Sequence, residues 1–452
     1  MKGFCEETLG SIANPSRGGL VDGPFGSNLP ASEYVEEGVP VLRGSNLSIG
    51  PSYLKENEFV FVSRELTEKL ARSICRQGDI IFTKKGTLGQ TGFISESSKF
   101  KEYLLSSNQM KISVDCRKAI PKYVYYYVSS PSSISKIIRD AEATGVPKTN
   151  VAYLKTFPIL LPSISEQQAI LDMIAPLDDK IELNRRMNET LEAMARAVFR
   201  DWFVDFGPTR RKAAGETDPA AILGSLLPDP TQATPLAALF PDSFGDNGLP
   251  EGWEEREVGD LCPIVGGGTP STKEPAFWDG GTHNWATPKD LSKLSGLFLR
   301  ESERQVTDAG LAKVSSGLSP VGSVLLSSRA PIGYVAIAEE PVAVNQGFIV
   351  MQPTPAFPTE FAYFWTLENL DLIKANANGS TFQEISKKNF RPLRVNHAGA
   401  DLVAKFAEVA GPMMDLIRNN EQENQTLAAT RDLLLPKLMS GDLRLTGTEG
   451  VT

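Results

Sequence analysis

The 452-residue sequence predicts an α+β fold built by internal duplication. Two strand-rich α/β halves are separated by two long helices that pair as an antiparallel coiled coil with pseudo-two-fold symmetry. Three observations predict it: one helical register occurs twice, a heptad seam runs through both copies, and each copy follows short β-prone runs punctuated by glycine.

The register is set by Asn188-Glu189-Thr190-Leu191-Glu192-Ala193, which returns as Asn424-Gln425-Thr426-Leu427-Ala428-Ala429, an offset of 424 − 188 = 236. The same offset pairs Pro176 with Pro412, Asp179 with Asp415, Ile181 with Ile417 and Asn184 with Asn420.

The seam of the first helix alternates steps of four and three through Ile170, Ile174, Leu177, Ile181, Asn184, Asn188, Leu191, Ala195 and Val198. Shifted by the offset, it reads Phe406, Ala410, Met413, Ile417, Asn420, Asn424, Leu427, Arg431 and Leu434. Such spacing is a coiled-coil signature. Asn184, Asn188, Asn420 and Asn424 form polar layers that fix register, because a slipped pairing would bury amides against apolar side chains. Two ordinary amphipathic helices in one bundle are the alternative. Helices of about 35 residues make a rod of roughly 50 Å. Ser163 and Glu166 match a capping box at its start, and Pro176 and Pro412 predict kinks, the first helix becoming a short leader plus a longer rod.

Upstream of the helices, Gly78-Asp79-Ile80-Ile81-Phe82 corresponds to Gly322-Ser323-Val324-Leu325-Leu326, and Asn108-Gln109 to Asn345-Gln346. Hairpins are predicted around Lys84-Lys85-Gly86 and around Ser328-Arg329-Ala330-Pro331. Each half then offers an aromatic helix, Tyr123 to Val128 and Phe361 to Leu367, whose rings fill a core. The resulting division is 1–162 and 250–400 for the globular halves, 163–206 and 401–441 for the helices, and 442–452 for a tail. Residues 207–249, rich in Ala, Pro, Gly and Asp, read as a loosely packed connector with a short helix near Ala220 to Leu227.

Composition narrows the function. No apolar stretch reaches the roughly 20 residues of a membrane span, and Met1 to Glu7 lack a signal-peptide pattern, so a cytoplasmic chain with no membrane partner is expected. Cys5, Cys75, Cys116 and Cys262 are scattered without a CxxC pair and are expected to be reduced and mostly buried. His283 and His397 are too few for a histidine metal site. No GxxxxGK[ST] phosphate loop and no Asn/Asp-Pro-Pro-aromatic tetrapeptide occurs, and Gly266 to Pro270 lacks the GxGxxG order and reads as a turn. The chain is therefore expected to be non-catalytic, with no metal or cofactor of its own.

A net charge of −9 speaks against a protein that coats nucleic acid, so a DNA role requires local basic loops. Lys84, Lys85 and Thr87 in the first half, and Ser327, Ser328 and Arg329 in the second, place donors on glycine-bounded turns within reach of phosphates or base edges. A second loop, Thr144 to Asn150 with Lys148 and Asn150, is matched by Asn378 to Glu384. Arg43, Asn46, Thr287, Lys289, Lys387 and Lys388 complete the candidate set. For any one of these residues a solvated loop is the competing reading.

Leu161-Pro162-Ser163-Ile164-Ser165-Glu166-Gln167-Gln168, Leu177-Asp178-Asp179-Lys180-Ile181, Gly267-Gly268-Thr269-Pro270-Ser271, Trp285-Ala286-Thr287-Pro288-Lys289-Asp290-Leu291 and Leu435-Pro436-Lys437-Leu438-Met439-Ser440-Gly441 resemble the specificity subunits of type I restriction-modification enzymes. The resemblance covers nearly the whole chain. The second copy departs from it at Leu393-Arg394-Val395-Asn396-His397, where no Glu-Gln-Gln follows. The resemblance implies two target recognition domains, 1 to about 162 and about 250 to 400, each reading one half of a split double-stranded DNA site. It also implies two methyltransferase (modification) subunits carrying S-adenosylmethionine, and motor-nuclease (restriction) subunits using ATP and magnesium. A coiled-coil scaffold that binds only protein, and the recognition part of a methyltransferase or nuclease fusion, are the competing functions.

Overall fold

The computed structural model describes residues 4–444 except 53, 57–58, 142–147, 227–230, 232 and 380–382. It divides into two compact units, Met1–Leu183 with Asn424–Thr452, and Asn184–Glu423.

The first unit carries β1 (Cys5–Thr8), β2 (Leu20–Asp22), β3 (Tyr34–Val35), β4 (Val39–Leu42), β5 (Ser48–Ile49), β6 (Val60–Val62), helix α1 (Arg64–Lys69), β7 (Ile74–Arg76), β8 (Asp79–Thr83), β9 (Gln90–Phe93), β10 (Glu102–Leu105) and β11 (Gln109–Ser113). Helices α2 (Pro121–Val128), α3 (Pro131–Asp140) and α4 (Val151–Thr156), strand β12 (Pro158–Leu161) and the start of α5 (Ile164–Phe199) follow. One sheet has the order β2-β11-β8-β9-β5 and a second β3-β6-β4-β10-β7, while β1 pairs with β12.

The second unit adds α6 (Gly207–Ala213), α7 (Pro219–Ile222), α8 (Ala233–Ala237), β13 (Glu254–Glu257), α9 (Val258–Leu261), β14 (Ile264–Val265), β15 (His283–Ala286), α10 (Pro288–Lys293), β16 (Phe298–Leu299), β17 (Arg304–Val306) and α11 (Asp308–Leu311). Strands β18 (Val324–Ser327), β19 (Val335–Ala338), β20 (Val342–Val344) and β21 (Phe348–Met351) lead to α12 (Thr359–Glu368), α13 (Leu370–Ala375), α14 (Lys387–Phe390), β22 (Arg394–His397) and α15 (Ala400–Ser440). Its sheets are β14-β21-β18-β19-β16, β17-β15-β20 and β13-β22. The order of the first unit is repeated over four strands, β2-β11-β8-β9 and β14-β21-β18-β19, whereas the fifth differs in direction, β5 being antiparallel to β9 and β16 parallel to β19; the parallel pair β4-β10 recurs as β15-β20.

The unbroken apolar runs have one cause in both units. Ile80 and Phe82 enter the cluster formed with the α2 tyrosines, whereas Ile81 enters a second cluster on the other face. Val324 and Leu326 likewise join the core around α12, and Leu325 the opposite one. A strand buried on both faces needs apolar residues at every position, although its side chains alternate. Tyr123, Tyr126, Phe361 and Phe364 are fully buried, so the aromatic helices do fill the cores.

None of the predicted seam positions is exposed. In the second unit Asn420 Nδ2 donates to Asn188 Oδ1 at 2.8 Å, and Asn184 Nδ2 to Glu423 Oε2 at 2.7 Å, so the α5 and α15 segments run antiparallel. Asn424, on the same seam, is half-buried. In the first unit Ile170 and Ile174 share a cluster with Leu435, Leu438 and Met439. Arg431, the charged seam residue, donates to Asp178 at 2.6 Å and to the Pro51 carbonyl at 2.9 Å, and the Tyr126 hydroxyl donates to the same carboxylate.

Four expectations are corrected. Helix α5 is continuous through Pro176 rather than a leader plus a rod; the proline is exposed, where water can serve the carbonyl that it leaves without a donor. The connector is packed, not loose: Ile222, Leu223, Leu236 and Phe240 are buried in the core of the second unit, and Arg211 holds Asp201 at 2.6 Å. Its short helix is Pro219–Ile222; the expected end at Leu227 lies outside the described residues. Only Cys75 and Cys262 are buried, while Cys5 and Cys116 are exposed; all four are free. Finally, Asn108-Gln109 and Asn345-Gln346 are not structural equivalents. Gln109 stands opposite Thr83 and Phe348 opposite Ser327, which aligns Asn108 with Gly347 and shifts the match by two residues. The capping box holds, with Ser163 N bound to Glu166 Oε2 at 3.1 Å and Glu166 N to Ser163 Oγ at 3.3 Å.

Candidate nucleic-acid interface

At one end of each five-stranded sheet, the same loops are tied together by the same main-chain bonds. In the first unit the Lys84 amide donates to the Asn108 carbonyl at 2.7 Å, the Thr149 amide to the Lys84 carbonyl at 3.0 Å, and Lys85 bridges Lys148. In the second unit the Ser328 amide donates to the Gly347 carbonyl at 2.8 Å, the Ile385 amide to the Ser328 carbonyl at 3.1 Å, and Arg329 bridges Glu384. The two candidate loops of each half, remote in sequence, therefore meet. Thr144 to Pro147 and Ser380 to Phe382 lie outside the described residues.

The register makes Lys85 and Arg329 equivalent, and likewise Lys148 and Glu384. Lys85, Thr87 and Lys148 are exposed. Lys84 is half-buried and bound to Asp22 at 2.8 Å, which ties the loop after β2 to this cluster and neutralises part of its charge. Arg329 is half-buried, with Glu384 at 3.6 Å. Lys387 and Lys388 are exposed in the first turn of α14.

A further loop follows β4 and its counterpart β15. Each begins with the amide of the residue after the strand donating to a side chain three positions on: Arg43 N to Asn46 Oδ1 at 3.0 Å, and Thr287 N to Asp290 Oδ2 at 2.7 Å. Arg43 and Thr287 are thus equivalent. Lys289 is exposed beside Glu303 at 3.1 Å.

Several candidates serve the scaffold instead of facing a ligand. Asn46 is 1% exposed, and its amide also donates to the Lys55 carbonyl at 3.0 Å. Ser327 is fully buried; its hydroxyl donates to the Pro331 carbonyl at 2.8 Å and accepts from the Gly333 and Tyr334 amides, which shapes the turn that carries Arg329. Ser328 is buried too. Asn150 caps α4 by accepting from the Tyr153 amide at 2.8 Å, as Ser386 caps α14 by accepting from the Asn389 amide at 3.2 Å. Asn46, Ser327 and Ser328 are therefore buried parts of the frame and not contact residues.

The sequence reading missed the loop after β2 and took its partner after β14, Gly266 to Pro270, as a turn without placing it beside the candidate loops. Ladder register aligns Leu20 with Ile264, hence Asp22-Gly23-Pro24-Phe25 with Gly266-Gly267-Gly268-Thr269. The signal available was the glycine each needs: a Cβ at Gly23 would collide with the Ser106 carbonyl, and one at Gly267 with the Val344 carbonyl. Trp285 Nε1 donates to the Gly268 carbonyl at 3.0 Å, and the Arg304 guanidinium lies 3.5 Å from the Trp278 ring centre, buttressing the second copy.

Among the described residues no group of His, Cys, Asp or Glu could hold a metal ion, and no helix is long and apolar enough to cross a membrane. His283 faces Asp308 at 2.7 Å, and burial lowers the pKa of His397, which lies 3.1 Å from the Ala356 carbonyl.

A chain with two copies of one α/β unit, each presenting the same tied loop cluster, is a duplicated two-site recognition protein. The family described as type I restriction modification DNA specificity domain matches residues 31–193 and 250–396, and the chain belongs to that family. It is 24% identical over 409 residues to the type I restriction enzyme HindI specificity subunit of Haemophilus influenzae, covering 82% of this chain and 88% of that one. Over 181 residues it is 35% identical to the MjaIX specificity subunit of Methanocaldococcus jannaschii, covering 40% and 42%. The crystal structure of the type I restriction-modification S subunit from M. genitalium shares the fold, with a TM-score of 0.53 at 15% identity and 96% of each chain covered.

Proposed function

We propose that the chain is the DNA-specificity subunit of a type I restriction-modification complex, that it reads a two-part double-stranded target with one unit per half-site, and that it directs adenine methylation and cleavage performed by partner subunits. The observation that carries this is the recurrence of one backbone-tied loop cluster in both units, with cations at equivalent tips, Lys85 and Arg329. Phosphate contacts position such loops, and base-edge contacts give them sequence preference. The family supports DNA as the ligand.

In this reading the chain performs no chemistry. Two methyltransferase subunits bring S-adenosylmethionine, restriction subunits bring ATP and magnesium, and the complex works in the cytoplasm. An acidic chain suits DNA affinity shared across a complex.

The two tips separate in an experiment. Lys85→Ala and Arg329→Ala are each assayed in the full complex against duplexes substituted one base at a time. Each variant is expected to weaken binding by about 1–3 kcal/mol where a base edge is contacted, Lys85→Ala relaxing one half-site and Arg329→Ala the other. Unchanged binding and selectivity in both variants, or loss confined to one half-site for both, contradicts one unit per half-site.

A further inference from the structure

We infer that Phe25 is a base-contacting residue of the first unit, its ring packing against the bases of that unit's half-site, where the second unit presents the hydroxyl of Thr269. This rests on the DNA-reading role proposed above.

Phe25 is 81% exposed, the most exposed of the large apolar side chains described. A lone exposed apolar residue is ordinary. The position of this one, and the way its backbone is held, are not. β2 leads into Asp22, which is bound to Lys84, and the Gly23 amide donates to the Gln109 carbonyl at 2.9 Å. The Phe25 carbonyl then accepts from the Asn28 amide at 2.8 Å, closing a short turn over Gly26–Asn28. Pro24 on one side and Pro30 beyond the turn restrict the chain further. The ring is therefore presented to solvent from a fixed loop, beside the cluster that carries Lys84, Lys85 and Lys148.

The second unit carries a loop at the same point of the sheet, after β14, held by a different bond, the Gly268 amide donating to the Val344 carbonyl at 3.0 Å, and with different chemistry at its tip. Gly267 takes the place of Gly23, and the residue two positions on is Thr269, whose hydroxyl donates to Gln346 Oε1 at 2.6 Å. One strand register and one close glycine approach in both copies, followed by loops that differ in their bonds and carry a ring in one and a hydroxyl in the other, suit two reading heads for different bases. The exposed Lys85 and Lys148 of the adjoining loops complement a polyanion, and an apolar ring on this loop can meet a thymine methyl or lie against an opened base step. These two lysines, on the loops that the Asp22–Lys84 pair joins to this one, favour duplex DNA over an apolar protein surface as its occupant.

The test is selection from a random-sequence duplex pool by the full-length chain with its co-expressed methyltransferase subunit, run on wild type, Phe25→Ala and Phe25→Leu. Wild type is expected to enrich a two-part motif. Phe25→Ala is expected to lose about tenfold or more of the preference at one or two positions of a single half-site, with Phe25→Leu retaining part of it. The untouched half-site is the internal control for folding, and if the Ala variant selects nothing, the Leu variant decides on the same criterion. An identical motif in all three proteins overturns the inference while leaving the DNA-reading role standing. So does an unchanged motif with loss of the co-purifying methyltransferase, which would make Phe25 a protein contact. Absence of any motif in the wild-type selection overturns the role itself, and the inference with it.

Discussion

Glu421 shows how a single residue holds an α/β lobe to its helix. From α15 its carboxylate accepts from the Leu297 amide at 2.7 Å and the Phe298 amide at 3.3 Å, and a side chain at Gly296 would collide with it. Burial raises its pKa to about 7, with Glu339 and Glu192 adding repulsion. A raised folded-state pKa means that the protonated form is favoured by folding. That stability is full below about 4.5 and is lost as pH rises through about 7, a change of about 3 kcal/mol over the interval. Compared with Glu421→Gln in chemical denaturation, wild type should therefore lose up to about this much between pH 4.5 and pH 7.5. A difference that does not vary with pH would show that the group titrates as it does when unfolded. At this scale the sequence was a poor guide. Asn46, Ser327 and Asn150 have the donors of DNA contacts, yet each is committed to the main chain, because side-chain chemistry does not reveal which partner lies within 3 Å. Phe25 was passed over for the converse reason: an apolar residue reads as core until its exposure is known.

Among the elements, the helices were legible and the strand pairings only in part. A heptad seam is a local periodic signal, and every seam position is at least half-buried. The Asn188–Asn420 bond makes a direct prediction. Asn420→Leu alone leaves Asn188 Oδ1 without its donor, while Asn188 Nδ2 keeps the Ile417 carbonyl at 3.5 Å, and should cost about 1–3 kcal/mol. Adding Asn188→Leu should recover that loss or exceed it, at the expense of a unique register. Urea denaturation of the four proteins of the cycle measures the coupling, and strictly additive effects would mean that the two amides do not interact. The ladders were harder. Matching Asn-Gln dipeptides misaligned the turn before β11 and β21 by two residues, since register is set by hydrogen-bond pairing across strands and not by similarity along them. The connector was misjudged because Ala and Pro-rich composition hides the apolar residues, Leu223, Leu236 and Phe240, that anchor it.

Taken as a whole molecule, the duplication is the functional statement. Each unit repeats one order of four strands, one aromatic helix, one parallel strand pair and one cluster of tied loops, and each is completed by segments of both α5 and α15. The interior chemistry of the copies differs: Asp178, Arg431 and Tyr126 form a buried polar network in the first, where Met414, Ala195 and Phe364 supply apolar packing in the second. Their tips differ as well, Lys85 and Phe25 against Arg329 and Thr269. Two similar frames with different tips suit a target whose halves are different sequences. Mapping methylated adenines in DNA from cells that carry this chain with its methyltransferase subunit tests that claim most directly. One motif made of two short specified blocks flanking a spacer of constant length and no sequence preference is expected; a single continuous motif, or methylation that does not depend on this chain, would contradict a two-part reading.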